Sequence, residues 1–234
     1  MYRKAKLGVI VPSANTAMEY ELYRMAPPNI SIHFARMKLT EDTPEQIAGC
    51  SRYVPKAVDE LADAKVDVIA FGCTGGSFIK GVGYDKEIIS IIQKQVKIPA
   101  TTTSTAVIRA LEVLKAKKVV VGSPYEDWLN EKLKIFLEGH GFDVIKIKGL
   151  GVIKDIAEIP DNVKYKLAKE IYSPEADVMF FSCTDFMVAH LISPFEEDFG
   201  IPVITSNQAT LWDMLRIIGL KTRVKGYGIL LEKY

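Results

Sequence analysis

Short apolar runs rich in β-branched residues alternate with amphipathic stretches along the chain. Strand-like runs fall at 6–11, 30–36, 66–72, 99–103, 118–121, 142–148, 177–182 and 202–205. Helical periodicity falls near 45–64, 84–96, 104–115, 125–139, 160–172, 184–192 and 207–218. Alternation of this kind predicts βαβ units and parallel sheets. Asp42-Thr43-Pro44-Glu45 and Ser123-Pro124-Tyr125-Glu126 read as helix starts.

The pattern repeats at long range. Val66-Asp67-Val68-Ile69-Ala70-Phe71-Gly72-Cys73-Thr74 matches Ala176-Asp177-Val178-Met179-Phe180-Phe181-Ser182-Cys183-Thr184. Lys97-Ile98-Pro99 leads to Ser104 and a helix, as Gly200-Ile201-Pro202 leads to Ser206 and a helix. Leu7 to Ser13 is echoed by Lys118 to Pro124. Three matches in one order, at a shift of roughly 103 to 112 residues, indicate a duplicated half. The expected fold is α/β, with two similar lobes related by a pseudo-twofold axis. Each lobe is a four-stranded parallel sheet flanked by helices, and the site lies in the cleft between them. Residues 1–103 plus 208–234 should form the first lobe, with Cys73, and residues 104–207 the second, with Cys183.

Composition narrows the function. The 234 residues are 48% hydrophobic and 25% charged, with a net charge of +1. That balance suits a globular protein and offers no basic face for nucleic acid or a membrane surface. Met1-Tyr2-Arg3-Lys4-Ala5-Lys6 leads straight into the first strand, too short for a signal peptide, and no apolar run is long enough to span a bilayer. Three cysteines, an odd number, argue for reduced thiols and a cytoplasmic location. The absence of CxxC and HExxH motifs argues against a metal site.

The candidate chemistry lies at the repeat. Cys73 and Cys183 each end a buried-looking strand and each precede a threonine. Ligands of parallel α/β sheets bind beyond the carboxyl ends of the strands. Backbone N–H groups there favour anions and lower a thiol's pKa. Two such halves facing each other would offer one thiol from each side to a small carboxylate. Cys50 has no repeat partner and reads as packing. Ser13, Asn15 and Thr16 follow the first strand, and Thr74, Gly75 and Gly76 follow Cys73. Ser123 and Tyr125 follow the fifth strand, Thr184 follows Cys183, and Ser206 and Asn207 follow the eighth. Hydroxyls, amides and backbone N–H groups of this kind can hold a carboxylate and the enediolate formed from it. Gly81-Val82-Gly83 lacks the third glycine of a nucleotide fingerprint, and His140 and His190 read as a helix end and a packed or solvated ring.

These residues resemble the aspartate/glutamate racemase superfamily, and within it the maleate cis-trans isomerase and arylmalonate decarboxylase group. Val11-Pro12-Ser13-Ala14-Asn15-Thr16-Ala17-Met18-Glu19 and Arg36-Met37 resemble the isomerases. Gly72-Cys73-Thr74, Ser77-Phe78 and Gly81 resemble a decarboxylase motif, in which glycine usually stands at the position of Cys73. Thr103-Ser104-Thr105-Ala106-Val107, Tyr125 with Asn130-Glu131, and Leu211-Trp212-Asp213 are also decarboxylase-like, and Ser182-Cys183 matches both. Asp155 stands where the isomerases carry a substrate-holding asparagine, and Gly75 where the decarboxylases carry a serine. Thr184-Asp185 fits neither pattern.

The resemblance implies a cofactor-independent enzyme with Cys73 and Cys183 catalytic. Ser13, Asn15, Thr74, Gly75, Tyr125, Asp155 and Thr184 would bind a small carboxylic or dicarboxylic acid. Two thiols suit maleate-type cis-trans isomerisation or racemisation of an amino acid or hydantoin better than arylmalonate-type decarboxylation, which needs one. Asn15 and its neighbours favour isomerisation. The non-enzyme alternative is a small-acid binding protein. No organic cofactor or metal is implied, and assembly into a homo-oligomer is left open.

Overall fold

The computed structural model describes residues 5–234. The lead-in at residues 1–4 lies outside the described residues. Strands β1 (Ala5–Pro12), β2 (Ile30–Met37), β3 (Val68–Phe71) and β4 (Ala100–Thr102) form a parallel sheet in the order β2-β1-β3-β4. Strands β5 (Lys118–Ser123), β6 (Asp143–Gly149), β7 (Val178–Phe181) and β8 (Val203–Thr205) form a second, β6-β5-β7-β8. The second order is the first shifted by four strands, as the repeat requires. Val-Ile-Ala-Phe of β3 and Val-Met-Phe-Phe of β7 are wholly buried. Helices cover both sheet faces, so these strands read as continuous apolar runs rather than alternating ones.

The helices of the first half are α1 (Ala17–Met25), α2 (Pro44–Gly49), α3 (Val54–Asp63), α4 (Thr74–Phe78), α5 (Tyr84–Val96) and α6 (Thr103–Val113). Those of the second are α7 (Asp127–Glu138), α8 (Asp161–Ile171), α9 (Ile192–Phe199), α10 (Ser206–Ile217) and α11 (Gly228–Lys233). Two helical expectations change. The stretch 45–64 is interrupted by a 3₁₀ turn at Cys50–Tyr53, because Pro55 starts α3 and cannot donate a backbone bond to an earlier turn. The stretch 184–192 is loop followed by a 3₁₀ turn, and α9 begins only at Ile192. There Cys183 takes a left-handed φ of 105°, which a helix entered directly from β7 would not allow. Helices α1, α4 and α11 were not anticipated from periodicity, being short.

Polar struts join the halves. Asp213 on α10 accepts from Thr101 Oγ1 of β4 at 2.6 Å and from Arg109 of α6 at 2.9 Å. Glu21 of α1 accepts from Asn207 Nδ2 and from the Ala189 N–H, both at 2.7 Å. Helix α10 packs on α6, α1, β4 and β8, and α11 packs on α10, β8 and α9. We propose the division into residues 1–103 plus 208–234 and residues 104–207, supported by the packing of α10 on α1, β3 and β4. Among the described residues no helix is long and apolar enough to cross a membrane.

Candidate active site

A cavity of about 400 Å³ opens where the carboxyl ends of the two sheets face each other. It is lined by Pro12 to Thr16 after β1, save Ser13, and by Leu39 to Asp42 after β2. Cys73, Thr74 and Gly75 follow β3, Tyr125 follows β5, Ile153 to Glu158 follow β6, and Cys183 to Asp185 follow β7. Both repeat cysteines thus share one cleft, the place where parallel sheets expose loop backbone to ligands.

Cys73 caps α4: its Sγ accepts the Gly76 N–H at 3.3 Å. Gly76 is required by close packing, since a Cβ there would lie 2.7 Å from Cys50 Sγ and 3.0 Å from Cys73 Sγ. The neighbouring Cys50 thiol, burial and the nearby Asp42 carboxylate push the Cys73 thiol well above its usual range, against the Gly76 N–H. The first-turn N–H groups of Thr74 and Gly75 have no partner inside a helix this short. A Cβ on Gly75 would meet Ile47 and Leu129 at ordinary contact distances of 3.6 to 3.7 Å, so close packing does not require glycine there.

Cys183 holds its left-handed backbone between two anchors. Its N–H donates to Ser206 Oγ at 3.1 Å, and its Sγ accepts the Asp185 N–H at 3.4 Å. Sparsely populated backbone geometry of this kind persists only where its surroundings enforce it. Burial raises the Cys183 thiol well above its usual range, helped by Asp42 and Asp185 and opposed by hydrogen bonds from the Asp185 N–H and the Tyr125 hydroxyl. Tyr125 is fully buried and its phenol is likewise raised by burial. Ser182 Oγ donates to Tyr125 Oη at 3.3 Å, and the phenolic proton is directed to the Cys183 thiol at the cavity wall.

The other expected site residues divide. Asn15 lines the cavity, its Oδ1 accepting the Met18 N–H at 2.9 Å and its Nδ2 donating to Thr184 Oγ1 at 3.0 Å. The hydroxyls of Thr74 and Thr184 are already donated, to Ser206 Oγ at 2.9 Å and to Gly72 O at 3.2 Å. They offer backbone N–H groups rather than free hydroxyls. Asp155 lines the rim, exposed, with a left-handed φ of 53°. Ser13 is turned away: its hydroxyl exchanges 3.2 Å bonds with the Leu39 backbone and fixes the β1 and β2 ends together.

Three contributors were not anticipated as site residues. Asp42 read as part of a helix start, but Thr43 supplies the cap of α2 and leaves the Asp42 side chain facing the cavity. Asp185 accepts the N–H groups of Thr16 and Ala17 at 2.9 and 3.2 Å, seating α1 against the opposite lobe. Cys50 packs in the core, as expected, and in addition lies beside the Cys73 thiol. Asp42 is distinguished by its place at the cavity after folding, beside the Ile153 backbone, and no local pattern carries that.

The chain resembles known proteins along nearly its full length. It is 29% identical over 249 residues to a maleate isomerase of Pseudomonas putida, covering 97% of each chain. It is 28% identical over 240 residues to that of Nocardia farcinica, covering 97% of this chain and 96% of the relative. A solved cysteine-to-serine mutant of the Nocardia farcinica maleate cis-trans isomerase, with a covalently bound succinylcysteine intermediate, superposes with a TM-score of 0.94 at 27% identity. That superposition covers 98% of this chain and 99% of the other. The family model for arylmalonate decarboxylase matches residues 7–231. The paired strand-end cysteines sit within that match, and the chain belongs to the arylmalonate decarboxylase family of the aspartate/glutamate racemase superfamily.

Proposed function

We propose that the protein is a maleate-type cis-trans isomerase of the cytoplasm, acting on a small alkenoic acid with Cys73 and Cys183. The carrying observation is that two cysteines from equivalent strand ends line one cavity. The succinylcysteine captured in the Nocardia farcinica relative supports covalent catalysis by one thiol.

In this reading the Cys73 thiolate adds to one alkene carbon. The S–C bond forms, and the π pair moves to the neighbouring carbon, which takes the proton of Cys183. The carbon–carbon bond, now single, rotates. Cys183 thiolate then removes that proton, the pair re-forms the double bond in the trans geometry, and Cys73 leaves as a thiolate. Atoms and charge balance with the two thiols alone. The Gly76 N–H steadies the Cys73 sulfur. Asn15, the N–H groups of Thr74, Gly75 and Thr184, and the Tyr125 hydroxyl would bind the carboxylate beside the reacting carbon. Asp155 would sit at the outer end, and Ser13 would act by holding the β1 loop in place.

Racemisation also uses two thiols, but needs no adduct on either. The test is turnover of maleate followed by proton NMR, with solvent exchange of amino-acid α-protons as the control. Production of the trans isomer without amino-acid exchange supports the reading, and exchange without isomerisation sinks it.

A further inference from the structure

The charges lining the cavity are the wrong sign for a dianion. Glu41, Asp42, Asp155, Glu158 and Asp185 all line it, and Lys154 is the lining cation. Lys154 is exposed at the rim and lies 3.7 Å from Glu41. Asp185 is occupied by the N–H groups of Thr16 and Ala17. Asp42 is different. Its backbone N–H is tied to Ile153 O at 2.9 Å, where the β2 loop meets the β6 loop over the cleft. Its carboxylate is half-buried, borders the cavity and has no hydrogen-bond or ion-pair partner among the described residues. A cavity-lining acceptor without a protein partner is open to a donor from the ligand.

We propose that Asp42 selects the substrate's far end, accepting a hydrogen bond from a carboxamide N–H, so that the preferred substrate is the monoamide of a cis-enedioic acid rather than the diacid. This rests on the isomerase reading above. One carboxylate meets the neutral donors around Asn15 and Tyr125, and the other end of the molecule meets Asp42. A second carboxylate there would face the like charge of Asp42, with Asp185 lining the same cavity, and like charges in a partly buried cleft repel. The same feature supplies a handle on the test. Burial and Asp185 lift the Asp42 carboxyl to about 7, so it is ionised in mildly alkaline buffer and partly protonated near neutrality. The titratable groups facing it are Asp185, Cys73, Cys183 and Tyr125.

Maleate and its monoamide are compared by NMR at pH 8.5 and pH 6, using wild type, Asp42→Asn and Asp42→Ser. Each variant is judged by its own ratio of kcat/KM values, so partial loss of fold cancels. Wild type should favour the monoamide by about tenfold or more at pH 8.5, and by less at pH 6. Both substitutions should lower the ratio by about tenfold at pH 8.5. Equal or better use of maleate by wild type at pH 8.5, or an unchanged ratio in the variants, overturns the role of Asp42 and leaves the isomerase reading standing. Turnover of neither compound by wild type overturns the isomerase reading, and this inference falls with it.

Discussion

Asn15 Nδ2 donates to Thr184 Oγ1 at 3.0 Å, tying the loop after β1 in one lobe to the loop after β7 in the other at the cavity wall. The same side chain caps the first turn of α1 through Met18 N–H. One residue therefore orders both the cleft and a helix that carries cross-lobe contacts. Asn15→Ala should cost about 1–3 kcal/mol of stability, from the lost cap and the buried acceptor left behind. It should also lower kcat/KM. Thermal melts and steady-state rates on the same preparation check this, and a loss of rate with an unchanged melting temperature would assign Asn15 to the substrate alone.

The phenol of Tyr125 is buried and touches Cys183 and Ser182. Tyr125→Phe should reduce kcat by about 10²-fold if the hydroxyl donates to developing negative charge. An unchanged kcat/KM would remove the hydroxyl from the reaction.

Cys50 is the leading cause of the raised Cys73 thiol. Removing it leaves burial and Asp42 acting alone, so Cys50→Ala should bring the Cys73 pKa down. Iodoacetamide should then alkylate Cys73 faster at pH 8 in the variant than in wild type. An equal or slower rate would contradict the thiol contact.

Asp42 links pH to stability. Its carboxyl sits at about 7 in the folded chain against an ordinary 3.8, so the folded state holds the proton more tightly than the unfolded state. Stability from this group is full below 3.8 and is lost as pH rises through 7. The melting temperature of Asp42→Asn should therefore exceed that of wild type at pH 8, with the gap closing toward pH 4. A gap independent of pH would show that Asp42 titrates normally.

The duplication was legible because a parallel strand buried on both faces must be apolar throughout, so Val66–Cys73 and Ala176–Cys183 kept matching patterns. Strands β2 and β6, part-exposed at the sheet edges, were legible instead from their β-branched and alternating residues. The short helices were not, since α1, α4 and α11 hold too few turns to show a period. The loop after Cys183 was misread as helix because a left-handed φ at a non-glycine residue leaves no compositional mark. Cys73, Cys183, Asn15 and Tyr125 could be placed from strand ends alone. Asp42 could not, because its role depends on Thr43 taking over the helix cap and on a loop more than a hundred positions away closing over it.

The paired-thiol account is tested most directly by mass spectrometry of Cys183→Ser incubated with maleate and, separately, with its monoamide. The account predicts a covalent adduct of one substrate molecule on Cys73, formed because the nucleophile is intact and slow to resolve because Cys183 no longer exchanges the proton. It predicts no adduct in Cys73→Ser. Full activity in either serine variant, or an adduct on Cys183 in the Cys73→Ser protein, would contradict it.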